Sequence, residues 1–333
     1  MILRREFITL LGGTAAWPLV ARAQQGREMR HVGVLMNAAA TNAEAQSRLA
    51  AFTQTLRQLG WSEGRNIRID LRWTAGDAEL ARIYAAQLIG LMPDVILASS
   101  TTNLTAIRQA TSTIPVVFVQ ISDPVTQGLV ASLAKPGGNV TGFSMYEFSI
   151  GGKWLGLLKE IAPDLTRVAV MFNPETSPQS EFYVPAIEAA ALSLGVQVTA
   201  IPVHATADIV PGLERFARQP NGGLILPTDS FTNLRGKLIA DVAIRHRLPM
   251  MSANQGRERQ GELLYYGISN ANVLDQHKRA AGYIDRILKG AKPSDLPVQN
   301  ADRYTLVLNL KTARALGLTV QPTLLALATE VIE

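Results

Sequence analysis

Short polar side chains follow the predicted β-strands of this sequence at the points where the strands end. They are Asn37, Ser99, Ser100, Thr101, Thr102, Ser122 and Asp123 in the first half of the chain, and Asn173, Thr228, Asp229 and Asn254 in the second. In open parallel sheets, ligands bind beyond the carboxyl ends of the strands. Hydroxyl, amide and carboxylate groups at two such sheet edges predict a cleft for a small polar ligand.

Two of these segments suggest recognition of charge. Residues 100–102 end a strand and open a helix, so their backbone N–H groups and hydroxyls could receive a ligand carboxylate. Asp229 occupies the matching place in the second half and could hold a ligand ammonium. Both segments have a structural alternative, because Ser, Thr and Asp also cap helices. For Asp229 the capped helix would be 233–245.

The amides and the Asp-Pro pair have two interpretations as well. Asn37, Asn173 and Asn254 could exchange hydrogen bonds with a ligand or stabilise their own turns. Ser122 and Asp123 precede a proline, and Asp-Pro favours a turn, so Asp123 has a structural alternative.

Five aromatic residues are candidate platforms for a ligand ring. They are Phe143, Tyr146 and Tyr266, together with Phe231 after Asp229 and Tyr265 before Tyr266 as two further rings, and Ser144 is a candidate polar contact. Each ring could instead pack in the core or at the rim of the cleft, so the residues alone do not predict an aromatic ligand.

Patterns for catalysis and metal binding are missing from the sequence. There is no cysteine, which excludes thiolate metal sites and cysteine nucleophiles. The four histidines are scattered, and no dinucleotide fingerprint, P-loop or zinc-protease motif occurs. Residues 142–146 begin like a nucleophile elbow but lack its final glycine. We predict a protein that is not an enzyme and needs no cofactor or metal.

The charge distribution argues against a nucleic-acid partner. The formal net charge is +5, from 32 basic and 27 acidic residues, but no basic cluster accompanies it. After the leader, no apolar run reaches the roughly 18 residues that a membrane span needs. We therefore expect no nucleic-acid partner and no membrane anchor.

Residues 1–23 are typical of an export signal. Arg4 and Arg5 precede a mildly apolar run, and residues 21–23 form a small-x-small cleavage site. The paired arginines resemble a twin-arginine signal. We predict cleavage after Ala23 and a mature protein in the periplasm. The alternative, an amphipathic helix that stays with the fold, is disfavoured by a Gly-Gly pair and a proline.

The segments that carry these residues alternate between β-rich runs and helical patterns. Strands are predicted at 31–36, 66–73, 94–98, 114–119, 167–173, 197–202, 223–226 and 249–252, and helices at 42–59, 77–91, 103–111, 178–194 and 233–245. This alternation predicts an α/β protein with parallel sheets covered on both faces. The pattern of the first half recurs in the second, which favours two lobes of like topology over two unrelated domains.

Several motifs together resemble one known family. They are Ser122-Asp-Pro-Val-Thr-Gln-Gly-Leu-Val130, Lys135-Pro-Gly-Gly-Asn-Val-Thr-Gly142, Tyr266-Gly267, Leu288-Lys-Gly-Ala-Lys-Pro293, Leu296-Pro-Val298 and Val307-Leu-Asn-Leu-Lys-Thr-Ala-Arg-Ala-Leu-Gly317. In this order they resemble the ABC-transporter substrate-binding proteins of the tryptophan-binding-protein-like family, across essentially the whole mature chain. One departure is Val320-Gln321-Pro322, where an isoleucine is expected before the proline.

The resemblance implies a type I periplasmic-binding-protein fold, with two doubly wound parallel-sheet lobes and three crossovers. It implies lobe one at 28–142 plus 268–296, lobe two at 143–267 plus 297–333, helix 272–289 in lobe one, and hinges at Gly142, Gly267 and Pro297. Glycine suits a hinge because it tolerates large backbone changes.

The resemblance also implies a function. Members bind amino acids, notably aromatic ones, and pass them to a membrane permease. Contacts from both lobes would be complete only in the closed state, so binding would shift the population toward closure. We expect a monomeric periplasmic receptor of an ABC importer. Two alternatives stay open: a sensor of the same fold that signals to a membrane receptor, and an exported α/β hydrolase.

Overall fold

The strands of the computed structural model, which describes residues 29–254 and 261–333, form two separate sheets. The first contains β1 (Arg30–Met36), β2 (Ile67–Trp73), β3 (Val95–Ser99), β4 (Val116–Ile121) and β5 (Val140–Ser144). The second contains β6 (Arg167–Phe172), β7 (Gln197–Pro202), β8 (Gly222–Leu226), β9 (Met250–Ser252), β10 (Leu264–Gly267), β11 (Thr305–Asn309) and β12 (Glu330–Ile332). The predicted export signal lies outside the described residues.

Helices cover both faces of each sheet. They are α1 (Ala43–Gln58), α2 (Ala78–Gly90), α3 (Thr101–Ala110), α4 (Ile150–Ile161), α5 (Ser180–Leu194), α6 (Thr206–Ala217), α7 (Ser230–Leu234), α8 (Gly236–Arg245), α9 (Asn270–Leu288), α10 (Leu310–Leu316) and α11 (Pro322–Leu327). The segment predicted as one helix at 233–245 is two helices, α7 and α8. None of the helices in the described ranges has the length and apolar character needed to cross a membrane.

Lobe one is built on a parallel sheet with the strand order β2-β1-β3-β4-β5. Strand β3 is buried along its whole length, as expected for a parallel strand covered on two faces. Helices α1 and α9 pack on one face through residues such as Phe52 and Ile284. Helices α2 and α3 cover the other face through residues such as Leu88 and Leu104.

Lobe two repeats this order as β7-β6-β8-β9-β10 and extends it by two strands. Strand β11 runs antiparallel to β10, and β12 runs parallel to β11. The predicted parallel sheet and the predicted recurrence of topology are confirmed, and the antiparallel pairing of β10 with β11 is an addition at this edge. Trp154 of α4 and Tyr183 of α5 fill the core on one face.

The chain passes between the lobes three times. It leaves lobe one after β5, returns after β10 to form α9, and crosses again between the 3₁₀ turn Pro293–Asp295 and β11. Two α/β lobes of like strand order joined by three crossovers confirm the predicted type I fold class.

The predicted hinge residues lie at these crossings. A Cβ atom at Gly142 would stand 2.1 Å from the Phe118 carbonyl oxygen, and one at Gly267 would stand 2.3 Å from the Tyr146 hydroxyl. Close packing thus requires glycine at both positions. The Pro297 carbonyl accepts a 2.7 Å hydrogen bond from the Tyr283 hydroxyl. Hinge motion at these residues stays a prediction.

Candidate ligand-binding site

A cavity of about 230 Å³ lies between the lobes at the carboxyl ends of the strands. Residues after β1 and β3 contribute the lobe-one wall, and residues after β8 and β9 contribute much of the lobe-two wall. Nine of the candidate residues named above from the sequence line it: Asn37, Ser99, Ser100, Thr101, Tyr146, Thr228, Asp229, Asn254 and Tyr265. The strand-end rule thus locates the cavity, because parallel strands bring their carboxyl ends to one edge.

Two predicted site residues outside the cavity lining connect the lobes instead. Thr102 donates from its hydroxyl to the Thr176 carbonyl at 3.1 Å. Ser122 accepts a 2.7 Å hydrogen bond from the Tyr183 hydroxyl. Both bonds join lobe one to lobe two beside the cavity, so these residues contact the opposite lobe.

Asp123 and Asn173 stabilise turns, the alternative that the sequence left open. The Asp123 carboxylate accepts from the backbone N–H groups of Thr126 and Phe148. The Asn173 side chain accepts from the N–H groups of Glu175 and Thr176. Neither residue lines the cavity.

Phe143, Ser144 and Tyr266 also lie away from the cavity lining. The Phe143 ring packs 4.9 Å from the Tyr283 ring inside lobe one. Ser144 is buried, and its backbone N–H donates to Gln299 across the crossing. Tyr266 stacks on Tyr304 in a separate hollow. Phe143 and Ser144 are successive residues of β5, so their side chains point to opposite faces of the sheet, and neither of them reaches the cavity.

Asp229 is the N-cap of α7 and is already satisfied by protein donors. Its carboxylate accepts from the backbone N–H groups of Asn173, Phe231 and Thr232 and from the Thr176 hydroxyl. The side chain is 4% exposed. Four donors occupy the lone pairs of a carboxylate, which offers about four acceptor positions. The ammonium role predicted for Asp229 is therefore disfavoured, and its structural alternative fits the geometry.

The N-terminus of α3 faces the cavity from lobe one. Ser100 caps this helix with φ at 82° and accepts from the Asn103 N–H at 3.3 Å. The first N–H groups of a helix have no acceptor within the helix and carry its positive dipole end. Beside it, Ser99 accepts from the Asn37 N–H at 2.8 Å and fixes the end of β1.

Arg48 on α1 is a charged residue of the cavity that the sequence patterns did not predict. Its Nη2 donates to Glu44 at 3.1 Å and to Asn270 at 2.8 Å, and its side chain is 15% exposed. Burial lowers the pKa of Arg48, while the charge of Glu44 opposes that shift. An arginine nonetheless keeps its charge in proteins. Its helical position, remote from any strand end, gave no signal in the sequence.

Behind Arg48 lies His277, a fully buried residue of α9. Its Nδ1 donates to the Val273 carbonyl at 2.8 Å. Burial lowers the pKa of His277 from 6.5 to about 4, and the charge of Arg48 acts in the same direction. This histidine is therefore neutral at neutral pH.

The cavity also has an apolar lining. Met36 of lobe one and Met145, Tyr146 and Tyr265 near the crossings contribute to it. The Tyr146 hydroxyl accepts from the Ile268 N–H at 3.0 Å, which fixes its ring. Burial raises the pKa of Tyr146 above its ordinary value. Rigid aromatic and thioether surfaces suit an apolar ligand group.

The lobes touch each other at residues that line the cavity. Asn37 donates from Nδ2 to the Ser230 hydroxyl at 2.6 Å. A Cβ atom at Gly76 would stand 2.7 Å from the Ser230 Cβ, so lobe two packs directly on this glycine. The structure therefore shows the lobes in contact.

Other cavity residues that the sequence did not single out are Glu44, Thr176, Gln179, Ser230, Asn233 and Asn270. Most lie in the first turns of helices or in the loop before α5. The strand-end rule could have included Ser230, because this residue directly follows the predicted site residue Asp229. In the ranges that the structure describes, no group of three metal-ligating side chains occurs.

Comparison with known proteins identifies the family. Residues 39–332 match the family described as ABC transporter substrate binding protein. The chain belongs to this family. A substrate-binding protein of an ABC transporter captures its solute without chemical change, and the similar proteins are binding proteins as well. The sequence prediction that the protein is not an enzyme agrees with this membership.

Three relatives of this substrate-binding protein are informative. A tyrosine-binding protein of Clostridioides difficile (strain R20291) is 27% identical over 267 residues, 80% of this chain and 75% of that one. A domain from Streptococcus pneumonia in complex with L-Trp shares the fold with a TM-score of 0.78 at 23% identity, covering 92% of this chain and 100% of that one. The ligand-free, open structure of an adhesive substrate-binding protein from Clostridium difficile has a TM-score of 0.64 at 26% identity, covering 91% and 99%.

Proposed function

We propose that this chain is the periplasmic receptor of an ABC importer and binds an amino acid with an aromatic side chain. The observation that carries the proposal is the interlobe cavity, which is lined by a partly buried arginine, a helix N-terminus, and methionine and tyrosine side chains. This combination suits a ligand that has both a carboxylate and an apolar group.

Recognition of the carboxylate is assigned to lobe one. The N–H groups at the start of α3, with the Ser100 and Thr101 hydroxyls, provide oriented donors. Arg48, whose side chain is 15% exposed and paired with Glu44, adds a positively charged group to the cavity wall. Both of its hydrogen bonds use Nη2, which leaves the Nε and Nη1 donors for a ligand.

The apolar lining and the size of the cavity restrict the rest of the ligand. A volume of about 230 Å³ lies below the roughly 300–1,000 Å³ typical of drug-sized ligands. The observed volume suits a ligand as small as an amino acid. The side chains of Met36, Tyr146 and Tyr265 favour an aromatic ring in that ligand. Similarity to a tyrosine-binding protein supports the same ligand class.

Hinge closure is the proposed mechanism of capture. The bonds Asn37–Ser230 and Thr102–Thr176 join the lobes and would break on opening. The chain matches the L-Trp complex with a TM-score of 0.78 but the open structure with only 0.64, which supports a closed arrangement here. Because ligand contacts come from both lobes, binding shifts the population toward closure.

Delivery follows from closure. The closed receptor is the form that a membrane permease recognises, and the receptor acts as a monomer that diffuses between capture and delivery. Export by a twin-arginine signal with cleavage after Ala23 brings it to the periplasm.

A titration of the ligand-free protein from Gln24 onward tests this function. We expect L-tyrosine or L-tryptophan to bind, and saturation at 100 times Kd to add about 2.7 kcal/mol to the free energy of unfolding. The corresponding carboxamides should bind at least roughly tenfold more weakly, because they lack the charge that Arg48 and α3 recognise. The preference for the amino acid over its carboxamide should disappear in Arg48→Met.

Arg57→Met is the matched control, because Arg57 lies exposed on the same helix. It should keep the preference for the acid. Binding of neutral solutes in place of amino acids would overturn the proposal.

A further inference from the structure

Gln179 carries an unused acceptor at the cavity. The residue lines the cavity from lobe two and is 7% exposed. Its Oε1 is buried and has no hydrogen-bond partner among the described residues. Buried polar atoms are nearly always paired, and an exception calls for an explanation such as an absent ligand.

The orientation of the Gln179 amide is decided by its neighbour. Its Nε2 donates to the Thr228 carbonyl at 3.0 Å, and the same carbonyl accepts from the Ser177 hydroxyl. Turning the amide over would set two oxygens against each other. The amide nitrogen is therefore committed to lobe two, and Oε1 is the acceptor of Gln179 that no described protein group uses.

In the sequence, Gln179 lies between two residues that form hydrogen bonds to lobe one, Thr176 and Tyr183. Three residues before it, the Thr176 carbonyl accepts from Thr102, in the first turn of α3. One turn after it, Tyr183 donates to Ser122. Gln179 and the α3 N-terminus, where the proposed carboxylate binds, line the same cavity from opposite lobes.

We propose that Gln179 Oε1 accepts a hydrogen bond from the α-ammonium group of the ligand, an inference that rests on the proposed function. The α-ammonium is the donor nearest to a carboxylate in any amino acid, so it matches the position of Gln179. Asp229, the other candidate acceptor, is filled by four protein donors. Gln179 is thus the residue that distinguishes amino acids from carboxylic acids without an amine.

The test compares each amino acid with its desamino analogue. Calorimetry measures Kd for L-tryptophan and indole-3-propionate, and for L-tyrosine and 3-(4-hydroxyphenyl)propionate. In the unaltered protein the amino acid should bind more tightly. Gln179→Met keeps the side-chain length and removes the acceptor, so Kd for the amino acid should rise roughly 10- to 100-fold. Kd for the desamino acid should stay within about twofold.

A matched control variant separates recognition from folding. Gln87→Met, at an exposed position of α2, should leave both dissociation constants unchanged.

The outcomes distinguish this inference from the proposed function. An equal loss of affinity for both ligands in Gln179→Met, or equal binding of both by the unaltered protein, would overturn the role of Gln179 and leave the receptor function standing. Failure of the unaltered protein to bind any amino acid would remove the proposed function and this inference with it.

Discussion

Tyr183 of lobe two donates a hydrogen bond of 2.7 Å to Ser122 of lobe one, and both side chains are buried. Tyr183 belongs to the core of its own lobe, where its ring contacts Trp154 and Phe148. A bond between the core of one lobe and a strand end of the other exists only when the lobes are together. It therefore contributes to contact between the lobes and, under the proposed mechanism, to the closed state.

Tyr183→Phe should weaken ligand binding without unfolding lobe two. The ring packing stays, while the hydroxyl is lost and Ser122 loses this donor in the closed state. We expect Kd to rise roughly three- to tenfold, the equivalent of one net hydrogen bond. Calorimetry measures the change, and Tyr84→Phe on α2 is the control. A fall in unfolding temperature with unchanged Kd would contradict a role in closure.

Gly76→Ala should hold the cleft open. Its Cβ would stand 2.7 Å from the Ser230 Cβ of the opposite lobe. We expect Kd to rise at least roughly tenfold, because the new methyl group would collide with Ser230 and the backbone would have to move before the lobes could close. Small-angle scattering should show a larger radius of gyration with ligand present than the unaltered protein shows.

Gly64→Ala is the control for backbone strain. Gly64 has φ of 74°, nearly the 76° of Gly76, but its added Cβ would meet nothing within 4 Å. Both variants should lose similar stability, since both force alanine into the left-handed region. Equal losses of affinity in the two would show that strain, and not interlobe contact, is responsible.

Asp229→Ala should destabilise lobe two whether or not ligand is present. It removes the cap of α7 and leaves four donors without their acceptor. We expect the free energy of unfolding to fall by roughly 2–4 kcal/mol in denaturant titrations of the ligand-free protein. Asp77→Ala removes a more exposed cap with two donors on α2 and should cost about 1 kcal/mol. If the variant kept its stability but lost ligand binding, Asp229 would have the ligand-binding role and not the structural one.

The stability of the protein should fall below neutral pH because of His277. Its pKa is about 4 in the folded chain against an ordinary value of 6.5, so the unfolded state takes up a proton first. The folded state therefore loses stability as pH falls through 6.5 toward 4, by up to roughly 3 kcal/mol. Denaturant titrations across this range should show a shallower pH dependence in His277→Gln. Identical slopes in both proteins would contradict the prediction.

The sequence was sufficient for the fold because the fold rests on local patterns. Strand β1 is observed at Arg30–Met36 where 31–36 was predicted, and α1 at Ala43–Gln58 where 42–59 was predicted. Apolar periodicity and helix-stop glycines act within a few residues, so they can be read along the chain. The antiparallel β11 and β12 were missed because strand direction depends on partners that are distant in sequence.

For the cavity, the sequence determined the region and the tertiary structure decided the individual roles. Ser100 and Asn37 follow strands, and the rule that parallel strands gather their carboxyl ends placed them correctly at the cavity. Whether an acceptor is free for a ligand depends on which donors reach it. Asp229 is filled by neighbours up to 56 residues away, while the Gln179 oxygen stays unpaired. Packing brings those partners together, and no spacing along the chain encodes them.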